Sequence, residues 1–183
     1  MSVSNLNKII EYNPEDLTVT VEGGIKLSEL NQTLSPKGLF LPIDPPFMEE
    51  CTIGGIIATD SSGPMRLKFG KIKDMITGMK IVLPDGSIVK TGAKVVKNAS
   101  GYNLSRLYTG SLGTIGIIVE VSLKLHPIPE DRKNILIIFK EITDLLNFCD
   151  SVRNSFLLPT YMEYVSSSLL DFTPDGTIGN YPN

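Results

Sequence analysis

Two adjacent glycines in an apolar run constrain the fold of this chain more than any other feature. The stretch "CTIGGIIATDSSGP" covers residues 51–64, in which Gly54 and Gly55 follow Thr52, a residue type that often caps a helix N-terminus. Each glycine destabilises a helix by about 1 kcal/mol relative to alanine, because it has the most backbone entropy to lose. The pair therefore predicts a helix whose first turn another group approaches closely.

Composition argues against several classes of function. The 183 residues carry a formal net charge of −3 without a block of basic residues, so nucleic-acid binding is not expected. No apolar run reaches the length of about 18 residues that a membrane helix needs, and the N-terminus has no signal-peptide pattern, so we expect a cytoplasmic protein. Cys51, Cys149 and the single histidine, His126, are too few for a disulfide framework, a metal site or a histidine-dependent triad.

Local patterns predict strands and short helices in alternation. Residues 16–24 alternate apolar and polar side chains as a strand does, and residues 26–38 carry leucines at helical spacing before a proline and a glycine. Two β-type runs within residues 76–92 flank Pro-Asp-Gly, which predicts a hairpin with Gly86 at positive φ. Residues 117–129 read as one long strand that ends at prolines.

A second unit is predicted after the prolines and charges of residues 126–133, which are typical of a domain boundary. Residues 134–140 then read as a buried strand, and the following residues as a helix capped by Thr143. Residues 158–165 read as another strand, so this unit begins in a β-α-β order.

Three blocks in a fixed order carry a resemblance to a known family. They are residues 17–46, residues 52–74 and residues 95–130, the last of which contains "GSLGTIGII". Together they resemble the FAD-binding domain of the vanillyl-alcohol oxidase type, the family of D-lactate dehydrogenases and glycolate oxidase flavin subunits. Within it, "SSGP" and "KNASGYNLSRL" look most like the glycolate oxidase E subunit, which works with a second flavoprotein subunit and an iron-sulfur subunit.

The resemblance implies an α+β fold. We expect an FAD-binding subdomain with a mixed or antiparallel sheet flanked by short helices, followed by the start of a second α+β domain. Residues 1–127 would be a partial FAD-binding domain, and residues 128–183 an incomplete cap or substrate domain. Relatives carry a further Arg-Gly-Gly-Gly-Thr pyrophosphate loop ahead of the segment that this chain begins with, so one wall of the FAD site is expected to come from elsewhere.

The resemblance also implies which residues hold FAD. In this family the pyrophosphate lies along glycine-rich backbone, and a helix N-terminus with free N–H groups favours an anion on physical grounds. The cofactor-binding residues predicted in this way are Pro45, Thr52, Ile53, Gly54, Gly55, Ala58, Thr59, Gly63, Gly113, Gly116, Ile117 and Ile118. Three structural alternatives stay open: the glycine pair packs against a strand, the proline is a rigid connector, and the second glycine block is an ordinary turn.

Other residues near these blocks indicate cofactor binding less specifically. Lys97, Asn98, Tyr102 and Arg106 lie beside the second glycine block, where Arg106 is suited to bind phosphate or to order the loop. Phe69 stands where many relatives of the resembled family carry a tyrosine. The tyrosine hydroxyl, with any role it has in those relatives, is therefore absent here. His126 is expected to be a surface or structural histidine.

The function implied by the resemblance is that of a flavin-dependent oxidoreductase acting on a 2-hydroxy acid such as glycolate or D-lactate. Hydride would pass to flavin N5, and a nearby base would take the hydroxyl proton. No residue can be assigned as that base. FAD binding is expected to need a partner or a missing segment, and the alternative is a degenerate structural subunit that keeps the fold without the cofactor.

Overall fold

A computed structural model of the chain describes residues 3–92 and 105–166. Its strands are β1 (Ile9–Asn13), β2 (Thr18–Glu22), β3 (Leu39–Phe40), β4 (Ile76–Val82), β5 (Ile88–Gly92), β6 (Ile117–Lys124) and β7 (His126–Pro127). Its α-helices are α1 (Leu27–Leu34), α2 (Ile53–Thr59), α3 (Arg66–Phe69), α4 (Ile72–Met75), α5 (Ser105–Tyr108) and α6 (Ile142–Arg153), and a 3-10 turn spans Ser35–Lys37.

The described strands form one main sheet and one small one. The main sheet has five strands in the order β1-β2-β6-β4-β5, and each neighbouring pair is antiparallel. Strands β3 and β7 form a separate antiparallel pair. The α+β class predicted from the sequence is therefore confirmed, with the sheet in the antiparallel form.

Helices cover one face of the main sheet, and the core lies between them. In β2, Val19 and Val21 are buried on that face, opposite Leu123 and Val121 of β6. Helix α1 is amphipathic and buries its leucines against this layer, and α2 packs its isoleucines beside them. The other face of the sheet is polar, as shown by the hydrogen bond of 2.8 Å between the Thr20 and Ser122 hydroxyls.

The predicted hairpin is confirmed. Strands β4 and β5 pair antiparallel from Gly78↔Gly92 to Val82↔Ile88. Gly86 in the connecting turn has a φ of 83°, a left-handed conformation that glycine adopts without steric cost. The Asp85 carboxylate accepts the Ser87 backbone N–H at 2.9 Å, which stabilises the turn locally.

The predicted long strand over residues 117–129 is divided in the structure. Strand β6 ends at Lys124, and the Leu125 N–H donates to the Leu17 carbonyl at 2.7 Å. The chain then pairs with β3 through β7 instead of continuing in the main sheet. Prolines lack the N–H group that a ladder needs, so this end of the segment cannot extend an inner strand.

The two strands predicted in the second unit are wrong. Residues 134–140 and residues 158–165 have no strand structure, and Ile138 is 86% exposed. A strand exists only when another strand accepts and donates its backbone hydrogen bonds, and neither segment has such a partner among the described residues. The predicted boundary at residues 126–133, and the division into residues 1–127 and 128–183, stay predictions.

The helix predicted between those segments is present, but its start differs by two residues. Helix α6 begins at Ile142 and has Glu141 at the N-cap position, without a side-chain hydrogen bond. Thr143, the predicted cap, lies inside the first turn. The reason is that a threonine caps only when its own backbone is extended, and here Glu141 has the extended backbone.

Candidate functional site

Helix α2 begins where the sequence predicted. Thr52 has extended backbone, and its side-chain oxygen accepts the Gly55 N–H at 3.2 Å. This is the usual geometry of a threonine N-cap. The helix has seven residues and ends at Asp60, whose φ of 50° places it in the left-handed region.

Gly54 packs against the end of strand β2. A Cβ on Gly54 would lie 2.7 Å from the Gly23 carbonyl oxygen, and a Cβ on Gly23 would lie 2.4 Å from the Ile118 carbonyl oxygen. Any side chain at either position would overlap backbone that cannot move aside. The structural alternative for the glycine pair, close packing against a strand, is therefore correct for Gly54.

Gly55 has a different environment. It is exposed, and a Cβ there would meet only the Thr52 hydroxyl oxygen, at 3.0 Å. Packing within the described part of the chain therefore does not account for a glycine at this position. The open backbone at Gly55 is a surface that a ligand can approach closely.

The amide groups at the start of α2 already have acceptors. The Ile53 N–H donates to the Ile25 carbonyl at 2.9 Å, and the Gly54 N–H donates to the Gly23 carbonyl at 2.6 Å. The Gly55 N–H is taken by Thr52. The expectation that these three N–H groups are free is thus wrong, because the residues after strand β2 lie directly against the helix. Phosphate binding at this turn stays a prediction.

The structure brings the two glycine blocks together at the other end of α2. The Gly110 N–H donates to the Ile57 carbonyl at 2.9 Å, and the Leu112 N–H donates to the Ala58 carbonyl at 2.8 Å. The second block therefore caps the last turn of the helix with its own backbone. These two hydrogen bonds join residues that are far apart in the chain. We call the residues that meet here, 57–60 and 110–113, the α2–loop junction.

Two buried polar atoms at the α2–loop junction have no hydrogen-bond partner among the described residues. They are Asp60 Oδ1 and Ser111 Oγ. The other carboxylate oxygen of Asp60 lies 2.6 Å from Lys71 Nζ in an ion pair. An unsatisfied carboxylate oxygen and an unsatisfied hydroxyl at the same junction fit a ligand that supplies hydroxyl groups, as the ribityl chain of FAD does.

The remaining residues of the second block divide into packed and open positions. Gly116 is buried, and a Cβ there would lie 2.6 Å from Ile81 Cγ2 on strand β4. Ile117 and Ile118 begin strand β6, where the Ile118 carbonyl lies against Gly23. Gly113 is exposed with a φ of 71°, and a Cβ on it would meet no described atom within 4 Å.

Residues 61–70 form the segment between α2 and α4, and we call them the 61–70 loop. Gly63 in this loop packs on the segment before α2, since a Cβ there would lie 2.0 Å from the Asp44 carbonyl oxygen. Pro45 beside Asp44 is buried, so this proline is held in the packed interior. Thr59 is exposed at the end of α2, and its hydroxyl donates to the Gly55 carbonyl at 2.8 Å.

The 61–70 loop and the start of α4 line an open cleft of about 890 Å³. Residues on its walls include Gly63, Arg66, Lys71, Lys73, Asp74 and Glu163. Burial, with the nearby Asp44 carboxylate as a second cause, raises the pKa of Glu163. Burial likewise raises the pKa of Asp44, against the lowering effect of backbone hydrogen bonds from Met65, Asp44 itself and Gly63.

Sequence reasoning missed Asp44, Asp60 and Lys71, whereas Ser111 lies in the second glycine block that it pointed to. Asp44 lies between prolines in "PIDPP", and an acidic residue in a rigid segment was the available signal. Asp60 follows the helix directly, where aspartate tolerates the left-handed conformation. Nothing in the sequence indicated that Lys71 pairs with Asp60.

Several predicted residues lie away from this arrangement or outside the described residues. Lys97, Asn98 and Tyr102 are outside the described residues. Arg106 is exposed on α5. His126 is half-buried and packs edge-on against Phe69, with ring centroids 5.1 Å apart, which agrees with a structural role.

Within the described residues, no helix combines the length and apolarity needed to cross a membrane. The same residues contain no group of three or more potential metal ligands.

Comparisons with known proteins agree with the resemblance seen in the sequence. A family model described as "FAD binding domain" matches residues 1–92. The chain is 36% identical over 166 residues to glycolate oxidase subunit GlcD of Bacillus subtilis. The match covers 91% of this chain and 35% of that protein. It is also 35% identical over 170 residues to D-lactate dehydrogenase of Anaerostipes hadrus, in a match that covers 93% of this chain and 36% of that protein.

A solved structure supports the same fold. Alkyldihydroxyacetonephosphate synthase superposes with a TM-score of 0.61 at 34% sequence identity, covering 70% of this chain and 23% of that chain. The chain spans about a third of the length of the two curated relatives, at 35% and 36%. The predicted family and cofactor class, FAD, are confirmed, while the finer likeness to the glycolate oxidase E subunit stays a prediction.

Proposed function

The chain belongs to the family of FAD binding domains, and from this premise we propose that it is the flavin-binding part of an oxidoreductase that acts on a 2-hydroxy acid. Support for the substrate class comes from relatives named as a glycolate oxidase subunit and as D-lactate dehydrogenases, since glycolate and D-lactate are both 2-hydroxy acids. When bound, FAD supplies the hydride acceptor for such a reaction.

The observation that carries this proposal is the α2–loop junction. Asp60 Oδ1 and Ser111 Oγ are buried there without partners among the described residues, and their chemistry suits the hydroxyl groups of a ribityl chain. Gly55 and Gly113 leave the neighbouring backbone uncovered. The residues of this junction therefore fit FAD, and we assign Asp60 and Ser111 as groups that orient it.

The predicted cofactor residues take two roles in this proposal. We assign contact with the cofactor to the exposed ones, which are Gly55, Thr59 and Gly113. The others shape the surface on which it lies, and they are Pro45, Thr52, Ile53, Gly54, Ala58, Gly63, Gly116, Ile117 and Ile118. Among them, Gly54 lets the backbone of Gly23 pack closely, and Gly116 leaves room for the Ile81 side chain, because a Cβ at either position would overlap these atoms.

Partners are also part of the proposal. We propose a companion flavoprotein subunit and an iron-sulfur subunit, as in a multi-subunit glycolate oxidase, in the cytoplasm. Support comes from the word "subunit" in the name of the Bacillus subtilis relative.

The purified chain tests FAD binding directly. We expect absorption bands roughly near 370 and 450 nm, which are typical of bound oxidised flavin, either as purified or after titration with FAD. Gly55→Leu is expected to weaken FAD binding about tenfold or more, because the side chain would occupy the open face of α2. Gln32→Leu adds a similar side chain to the exposed surface of α1 and serves as the matched control.

A chain that stays colourless with added FAD, both alone and together with its proposed partner subunits, would contradict the proposal. That result would favour the alternative, a structural subunit that keeps the fold without the cofactor. Equal loss of binding in the Gly55 and Gln32 variants would remove the assignment of Gly55, because it would trace the loss to surface hydrophobicity in general.

A further inference from the structure

Asp44 is a carboxylate that directs its oxygens at backbone in another segment. The Met65 N–H lies 3.2 Å from Asp44 Oδ1 and 3.1 Å from Oδ2, so it bridges both oxygens. One half-buried side chain therefore accepts a backbone donor in the middle of the 61–70 loop.

The position of Asp44 is fixed independently of these hydrogen bonds. Its carbonyl oxygen is in close contact with Gly63, where a Cβ would lie 2.0 Å away and no side chain fits. Pro45 follows it in the buried interior with a ring that restricts the backbone. The carboxylate is thus presented to the 61–70 loop from a rigid support.

The 61–70 loop depends on such support. Its residues Arg66 and Leu67 are exposed, and α3 within it has only four residues, too few for a stable isolated helix. The ion pair of Asp60 and Lys71 closes the base of the loop, and Asp44 holds its middle. The loop in turn lines the cleft of about 890 Å³ and follows directly on the α2–loop junction.

We propose that Asp44 is a positioning residue that holds the 61–70 loop in the conformation that binds the flavin cofactor. The inference rests on the proposed function, and it adds a residue that acts through backbone of the loop. A charged carboxylate suits this task because it has acceptor oxygens only, whereas the amide of asparagine would turn an NH₂ group toward N–H donors. The pKa of Asp44, raised by burial, agrees with a carboxylate held in the packed interior.

Two variants separate the possible roles of Asp44. Asp44→Ala removes the side chain, and Asp44→Asn keeps its shape while exchanging one acceptor oxygen for a donor group. Glu49→Gln is the matched control. It removes a negative charge from an exposed residue in the segment between β3 and α2, which also contains Asp44. Each full-length variant is compared with the parent in FAD affinity, in amide hydrogen exchange of residues 61–70 without FAD, and in thermal unfolding.

We expect Asp44→Ala and Asp44→Asn each to lower FAD affinity about tenfold, because the loop loses charge-assisted hydrogen bonds. Both should exchange the amides of residues 61–70 faster, with exchange in strands β2 and β6 unchanged, and Glu49→Gln should behave as the parent. If Asp44→Asn matches the parent in affinity and exchange, the side chain acts by filling space, and the inference is overturned. If Asp44→Ala matches the parent, Asp44 has no positioning role.

The same experiment keeps this inference distinct from the proposed function. A parent chain that binds no FAD, either alone or together with its proposed partner subunits, contradicts the proposed function and, with it, the flavin part of the inference. The exchange measurement then still decides whether Asp44 holds the loop. If unfolding shows that Asp44→Ala does not fold, the isosteric Asp44→Asn alone carries the test.

Discussion

Gly54 lies against the carbonyl of Gly23, whereas Gly55, one residue later, faces outward with only the Thr52 hydroxyl near it. The first glycine serves the packing of helix on strand, and the second leaves a surface open. The two adjacent glycines therefore have separate functions, because successive residues of a helix face different directions. Substitution of each in turn distinguishes stability from binding.

Alanine substitutions at these positions should affect stability differently. Gly54→Ala is expected to lower the free energy of unfolding by about 1–3 kcal/mol, because its methyl group would overlap fixed backbone. Gly55→Ala should stay within about 1 kcal/mol of the parent, since the gain in helix propensity offsets a small shift of the Thr52 hydroxyl. Urea unfolding of both variants measures this, and similar losses for the two would contradict it.

His126 predicts a pH dependence of stability. Burial, and then the positive charge of Lys124, lower the pKa of His126 below its ordinary value of 6.5. The unfolded chain therefore binds the proton more readily than the folded chain, so this residue's contribution to stability is lost as pH falls below about 6.5. Burial raises the pKa of Asp44 and Glu163, which gives these carboxyls the opposite trend, so a variant is needed to isolate the histidine.

The measurement compares the parent with His126→Gln by urea unfolding between pH 8 and pH 5.5. The parent should lose more stability over this interval than the variant, because glutamine does not titrate. Equal slopes of stability against pH would show that the contact with Phe69 does not depend on the protonation of His126.

Helix α2 shows at the scale of the element how a short helix is stabilised by contacts at both of its ends. Residues just after strand β2 accept two N–H groups at its start, and the loop before β6 donates to the carbonyls at its end. A seven-residue helix is marginal by itself, so these tertiary contacts replace the hydrogen bonds that its ends lack. The same contacts bring the two glycine blocks together.

The N-cap of α2 gives a prediction at this scale. Thr52→Ala should lower the free energy of unfolding by about 1 kcal/mol, because the Gly55 N–H loses its acceptor. Thr52→Ser keeps a hydroxyl at the same position and should retain most of the stability. Thermal unfolding of the pair measures the difference, and an equal loss in both variants would assign the effect to the methyl group instead of the cap.

In the described part of the molecule, the buried apolar core lies within residues 19–125, whereas residues 134–165 expose many apolar side chains. Ile138 is 86% exposed and Leu158 is 82% exposed, whereas Val21 and Leu123 in the sheet are fully buried. Apolar surface of this extent is uncommon in a monomer and favours association. We expect the isolated chain to self-associate through residues 134–165.

Charge introduced into this segment tests that expectation. Ile138→Lys should lower self-association in sedimentation experiments and leave thermal unfolding of the core unchanged, because Ile138 is outside the buried cluster. Glu141→Lys makes a larger change of charge without removing an apolar side chain and is the control. A sharp drop in the unfolding temperature of Ile138→Lys would show that this side chain is packed.

Local patterns were enough to predict the hairpin of β4 and β5, the leucine face of α1 and the Thr52 cap, because each depends on residues close together in the chain. They failed for residues 134–140 and 158–165, where apolar composition predicted strands without partners. For the candidate site, local sequence pointed to the two glycine blocks. It did not separate Gly54 from Gly55 or point to Asp44 and Asp60.

By itself the sequence determined the family, the α+β class and the position of the glycine-rich segments, since these follow from order, spacing and residue type. Only the tertiary structure decided which amides of α2 are already paired and which glycine is open. It also decided that Asp44 holds Met65 across 21 positions of sequence. The physical reason is that hydrogen bonds and close packing join groups by their distance in space, which spacing along the chain does not specify.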